Sequence, residues 1–89
     1  MKRVFKFELK LATLQDVMMQ EGAIVQSIEV QKGVPYVYAL VDPSLPKKPV
    51  EFFMFGTGHE VPDGPIQFID SFQLSDGQLV FHVYLKLYI

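Results

Sequence analysis

The chain has 89 residues, enough for one domain with a single modest core, and residues 1–89 are read as one unit. It is 49% hydrophobic and 13% aromatic, which excludes a disordered tail, and its net charge of −2 gives no attraction to duplex nucleic acid or to an anionic membrane. Cysteine is absent, which removes disulfide frameworks and thiolate metal sites, and no apolar run nears the roughly 20 residues of a membrane helix.

Two-residue alternation governs most of the chain. Phe5, Phe7, Leu9 and Leu11 alternate with Lys6, Glu8 and Lys10, the pattern of a half-buried first strand. Lys2, Arg3, Lys6 and Lys10 gather here, but Glu8 interrupts them and they form no nucleic-acid stripe. Residues 12–22 admit two readings. Thr13 with Asp16 and a later Gly22 fit a short capped helix, whereas Val17-Met18-Met19 before Glu21-Gly22-Ala23 fits a short strand and turn. The strand is the expectation, because strands flank the segment.

Ile24, Ile28 and Val30 share one parity, with Val25, Ser27, Glu29 and Gln31 on the other. Lys32-Gly33 then turns the chain into Tyr36–Val41, which predicts a hairpin with Pro35 at the start of its second strand. Asp42 to Pro49 holds three prolines and reads as a loop. Val50 to Phe55 is a strand that is apolar on both faces apart from Glu51. Gly56 to Pro65 is a glycine- and histidine-containing loop, and Ile66 to Leu74 is a strand with Ile66, Phe68, Phe72 and Leu74 on one face. Ser75-Asp76-Gly77 predicts a three-residue hairpin connection. In the last strand Leu79, Phe81, Val83, Leu85 and Leu87 point inward, and Val80, His82, Tyr84, Lys86 and Tyr88 point outward. About seven short strands with frequent turns, and no room for crossover helices, predict an all-β fold: a small antiparallel β-sandwich or barrel.

Three segments carry a resemblance: Gly33-Val34-Pro35 through Ala39-Leu40-Val41-Asp42-Pro43, Gly56-Thr57-Gly58-His59, and Phe72-Gln73-Leu74 with Leu79-Val80-Phe81-His82-Val83. In their order and spacing they resemble a family of small proteins encoded by bacteriophages and by bacteria carrying prophages. A Gly22-Ala23 turn fits the same pattern. Ser71 stands where that family often has threonine, and Met18-Met19 departs from its usual acidic and proline pattern. The family is one of unknown function, so the resemblance implies no reaction. It implies an accessory factor acting on a host component, in the host cell cytoplasm.

The residues themselves limit the chemistry. No nucleophile elbow surrounds Ser27, Ser44, Ser71 or Ser75, and the set is short of a catalytic triad. His59 with Glu60 and Asp63 is a weak metal set, so neither a metal nor a cofactor is expected. The Gly56-Thr57-Gly58-His59 loop lacks the Lys-Ser/Thr ending of a phosphate-binding P-loop, yet its N–H groups, hydroxyl and imidazole can grip an anion. The competing reading is a structural turn. Tyr36, Tyr38 and Tyr84 offer stacking or interface surface.

The expectation is therefore a non-enzymatic, phage-type binding protein, homo-oligomeric through an apolar sheet face. In its first form it is an anti-defence inhibitor that sequesters a small anionic, nucleotide-type ligand. Gly56, Thr57, Gly58 and His59 supply donors, Tyr36, Tyr38 or Tyr84 stacks, and Lys2, Arg3 and Lys6 neutralise charge. In its second form it is a protein-interaction module that blocks a host protein or joins a virion assembly.

Overall fold

The computed structural model describes residues 1–88, among which run β1 (Arg3–Glu8), β2 (Leu14–Gln20), β3 (Ile24–Gln31), β4 (Val34–Val41), β5 (Lys47–Gly56), β6 (Ile66–Leu74) and β7 (Leu79–Lys86). All pairing is antiparallel. A three-stranded sheet has the order β1-β4-β3, and a four-stranded sheet the order β2-β5-β7-β6. Their inner faces share one apolar core. Val37, Ala39, Val41 and Ile28 meet Phe52, Met54, Phe72 and Val83 there, and Val37, Phe52 and Val83 are fully buried. Full burial of residues on both sheets requires each sheet to cover the other, so the fold is a β-sandwich. The ambiguous segment is strand β2, and Gly22 lies in the turn that follows it. The β3–β4 hairpin turns at Lys32 (φ 51°) and Gly33 (φ 77°), the two positive values a tight primed turn needs to match strand twist.

The simple alternation breaks at several places, each for a local reason. Leu11 is exposed, because β1 ends at Glu8 and the Gln15 side-chain amide holds the crossing segment through Lys10 and Ala12. In β3 a bulge between Val25 and Ser27 switches parity, so Val25 packs on the core and Ile24 faces solvent. A second bulge, between Phe68 and Asp70 in β6, turns Ile69 toward the core and Phe68 outward. The strand expected from Val50 starts at Lys47, so Pro49 lies inside it. The Met54 N–H bonds the Thr13 carbonyl, so by alternation the amide positions of even residues of β5 face β2. Pro49 faces the other way, beyond Phe52, where pairing with β7 begins, and costs no ladder bond. The β6–β7 connection has four residues, 75–78, not three.

The two sheets meet along one rim, where β3 and β6 lie side by side. Both bulges sit there. Asp70 Oδ2 accepts the Ile28 N–H at 3.0 Å and Oδ1 accepts the Ser71 N–H at 2.9 Å. A carboxylate thus completes hydrogen bonding that the interrupted ladders leave open.

Candidate functional site

Gly56-Thr57-Gly58-His59 is a tight turn that closes the end of β5. The His59 N–H donates to the Gly56 carbonyl at 3.1 Å, and Gly58 has φ 88°, a value suited to glycine at the third turn position. The Thr57 N–H donates to the Val80 carbonyl at 3.3 Å and extends the ladder to β7. Two of the N–H groups expected to face an anion are therefore spent on the fold.

The alternation of β5 sends the side chains of this turn to opposite sides of the sheet. Thr57 Oγ1 lies on the outer face, 2.8 Å from His82 Nε2, and His82 Nδ1 lies 2.7 Å from Ser71 Oγ. This hydroxyl–imidazole–hydroxyl chain spans β5, β7 and β6. A neutral imidazole has one donor and one acceptor nitrogen, so one hydroxyl accepts from it and the other donates to it. Both ring nitrogens are thus taken by hydroxyls and neither by a carboxylate, while the neighbouring Asp70 accepts backbone N–H groups. The chain holds three strands in register and lacks the charged orienting group of a triad.

His59 goes the other way. A Cβ on Gly56 would lie 3.0 Å from His59 Cε1 and 3.1 Å from Nδ1, so the ring rests against the space glycine leaves open. It borders a hollow of about 420 Å³ walled by Thr57 and residues 78–81, beside a smaller one of about 120 Å³ that reaches Leu11, Thr13 and Met54.

The remaining expected ligand residues lie elsewhere. Tyr36 and Tyr38 stand on the outer face of the three-stranded sheet, where Lys6 Nζ sits 4.5 Å above the Tyr36 ring and 2.8 Å from Gln31 Oε1. Gln31 Nε2 in turn donates to the Tyr38 hydroxyl at 2.6 Å. Lys2 and Arg3 are exposed at the start of β1. Sheets in a sandwich stand about 10 Å apart, so one small ligand cannot touch both outer faces. The expected single site therefore divides. Gly56, Thr57, Gly58, His59 and Tyr84 belong to the four-stranded sheet, and Lys2, Arg3, Lys6, Tyr36 and Tyr38 to the three-stranded one.

Tyr84 is part of a feature the sequence reading missed. On the outer face of the four-stranded sheet, Phe53 stacks on Phe55 with centroids 6.0 Å apart. Tyr84 meets Phe55 edge-on at 6.0 Å and Phe68 at 5.5 Å. Leu14 of β2 extends this row beside Phe53, with Met18 beyond the Asp16–Glu51 pair, and Leu14, Met18 and Phe68 are 55%, 50% and 52% exposed. At its border Glu51 pairs with Lys86 at 3.4 Å and accepts the Tyr88 hydroxyl at 3.1 Å, a bond that raises the tyrosine's pKa above its usual value. Phe68 was hidden by the bulge that follows it, and Phe53 by a run that is apolar on both faces.

The family model described as a domain of unknown function, DUF7352, matches residues 1–87. The chain belongs to this family. No curated protein and no solved structure matches it. Among the described residues of this DUF7352 chain, no three His, Cys, Asp or Glu side chains are placed to hold a metal ion, and no helix is long and apolar enough to cross a membrane.

Proposed function

We propose that this DUF7352 chain is a non-catalytic binding module that docks on another protein through the outer face of its four-stranded sheet. The observation that carries this reading is the contiguous row of Leu14, Phe53, Tyr84 and Phe68 across the sheet, two of them more than half exposed. Exposed apolar and aromatic surface of this kind, with a charged border, is the anatomy of a protein interface. The resemblance to phage-encoded proteins supports a host protein in the host cytoplasm as the partner, and the role of a blocking factor. Capture from the lysate of such a host separates this role from general stickiness. A stoichiometric partner is lost with Phe68→Lys and kept with Tyr38→Ala, Thr57→Ala and His59→Ala. Retention by the Phe68→Lys variant refutes the face as the docking surface.

A second reading rests on a different observation, the hollow of about 420 Å³ beside His59, a volume within the range of small-ligand sites. It keeps the sequestration of a small anionic nucleotide, gripped by the His59 imidazole, without the tyrosines of the other sheet. Calorimetry against cyclic di- and trinucleotides and ADP-ribose derivatives tests it. Affinity tighter than about 10 μM (~−7 kcal/mol) that disappears with His59→Ala supports it, and weaker binding removes it.

A further inference from the structure

The sandwich has four strand edges, and three of them are blunted against pairing with another chain. The β3 and β6 edges are both bulged and lie against each other, with Asp70 bonded across them. The β1 edge runs through Arg3, Lys6 and Glu8, charges of the kind that deter strand addition. β2 has none of these devices. Its register with β5 is unbroken from Leu14 to Gln20, it contains no proline, glycine or lysine, and Asp16 is its one charge. The Thr13 carbonyl and the Glu21 N–H both bond toward β5, so the odd residues of β2 face the sheet. By alternation the N–H and C=O groups of Leu14, Asp16 and Met18 point away from it. The space beside them is open, a groove of about 440 Å³ lined by Leu14 to Met18 and, across it, by Glu8, Lys10 and Ala12.

We infer that β2 is a self-pairing edge: two copies of this chain join antiparallel through β2 about a two-fold axis at Val17. Three observations select a second copy as the occupant. First, symmetric pairing centred on Val17 sets Asp16 against the partner's Met18 and Leu14 against the partner's Gln20, so no like charges meet. A register centred on Asp16 would oppose two carboxylates, which is unfavourable. Second, this register satisfies the free N–H and C=O groups of Leu14, Asp16 and Met18 on both copies. Third, Leu14 and Met18, about half exposed in one copy, become cross-strand neighbours of the partner. The product is a continuous eight-stranded sheet with both aromatic faces on the same side. This inference rests on the edge and not on the docking reading, and either can fail alone.

Because the Asp16 N–H points off the edge, Asp16→Pro removes an intermolecular donor without breaking the ladder to β5. Sedimentation at about 100 μM, well above the Kd of even a ~10 μM dimer, should give twice the 10.2 kDa chain mass for the wild type and the single chain mass for Asp16→Pro. The variant should keep the circular dichroism of the wild type. The absence of native cysteine allows a test that does not depend on that variant folding. In the proposed register, position 17 faces itself as a non-hydrogen-bonded pair, with Cα atoms at about the 4.5 Å that a disulfide accepts. Val17→Cys should crosslink into a dimer on mild oxidation, and Asp16→Cys should not. A monomeric wild type, a dimer indifferent to Asp16→Pro, or crosslinking through position 16 in place of 17 would each overturn the proposal.

Discussion

Gly56 and Gly58 are two residues apart and needed for different reasons. Gly58 has a φ of 88°, where a Cβ is strained even though the space around it is open. Gly58→Ala should cost about 1 kcal/mol in urea denaturation, the usual penalty for a side chain in the left-handed region. Gly56 is required for space, since alanine there displaces the His59 ring, so Gly56→Ala should alter the His59 ring resonances with little change elsewhere. Asp70 is the most consequential polar residue. Asp70→Ala strips the acceptor from the Ile28 N–H at the rim and should destabilise by about 1–3 kcal/mol. Asp70→Asn keeps an acceptor oxygen and should cost less. Asp42 accepts the hydroxyl and N–H of Ser44, which lower its pKa below the ordinary 3.8. A carboxylate lowered in the folded state contributes stability above its unfolded pKa and loses it as pH falls through the folded one. An NMR titration should therefore place the Asp42 midpoint below 3.8. At this scale the glycines were legible, because turn chemistry is local. The Thr57–His82–Ser71 chain was not. Ser71 meets His82 only in the register that follows the β6 bulge, and no property of either residue announces that register.

At the scale of elements, alternation located all seven strands but not their bulges or ends. A single inserted residue reverses every inward assignment on one side of it. That is why Ile24 and Ile28, grouped on one face by parity, lie on opposite faces, as do Phe68 and Phe72, whereas Val83 of β7 is buried as expected. The start of β5 was hidden for a different reason. Proline reads as a strand breaker unless its missing N–H faces an unpaired side, which depends on where β7 stops. The distinction has measurable weight. Phe52 is fully buried between the sheets, and Phe52→Ala should cost about 3–5 kcal/mol by denaturant unfolding. The outer Phe68→Ser should change stability by well under half of that, although both are strand phenylalanines.

The whole molecule places its candidate surfaces on separate sides, with the Tyr36–Tyr38–Lys6 cluster on one sheet and the aromatic face and Thr57–His82–Ser71 chain on the other. Residues so far apart with no shared partner act independently, so the stability effects of Tyr38→Ala and Phe68→Ser should add within about 0.5 kcal/mol. The sequence reading merged these residues into one site because outward parity does not say which of two outward directions is meant. Strand order carries a further consequence. β1 pairs with β4 and β2 with β5, so neither of the two earliest strands pairs with its neighbour in the chain. The β3–β4 and β6–β7 hairpins can close locally, but Phe5 must find Ala39, and Val17 must find Val50, across long intervening segments. Such non-local pairing places refolding in the millisecond-to-second range rather than the microseconds of a helical bundle. Of the seven strands, the two made first are thus among the last to find their places.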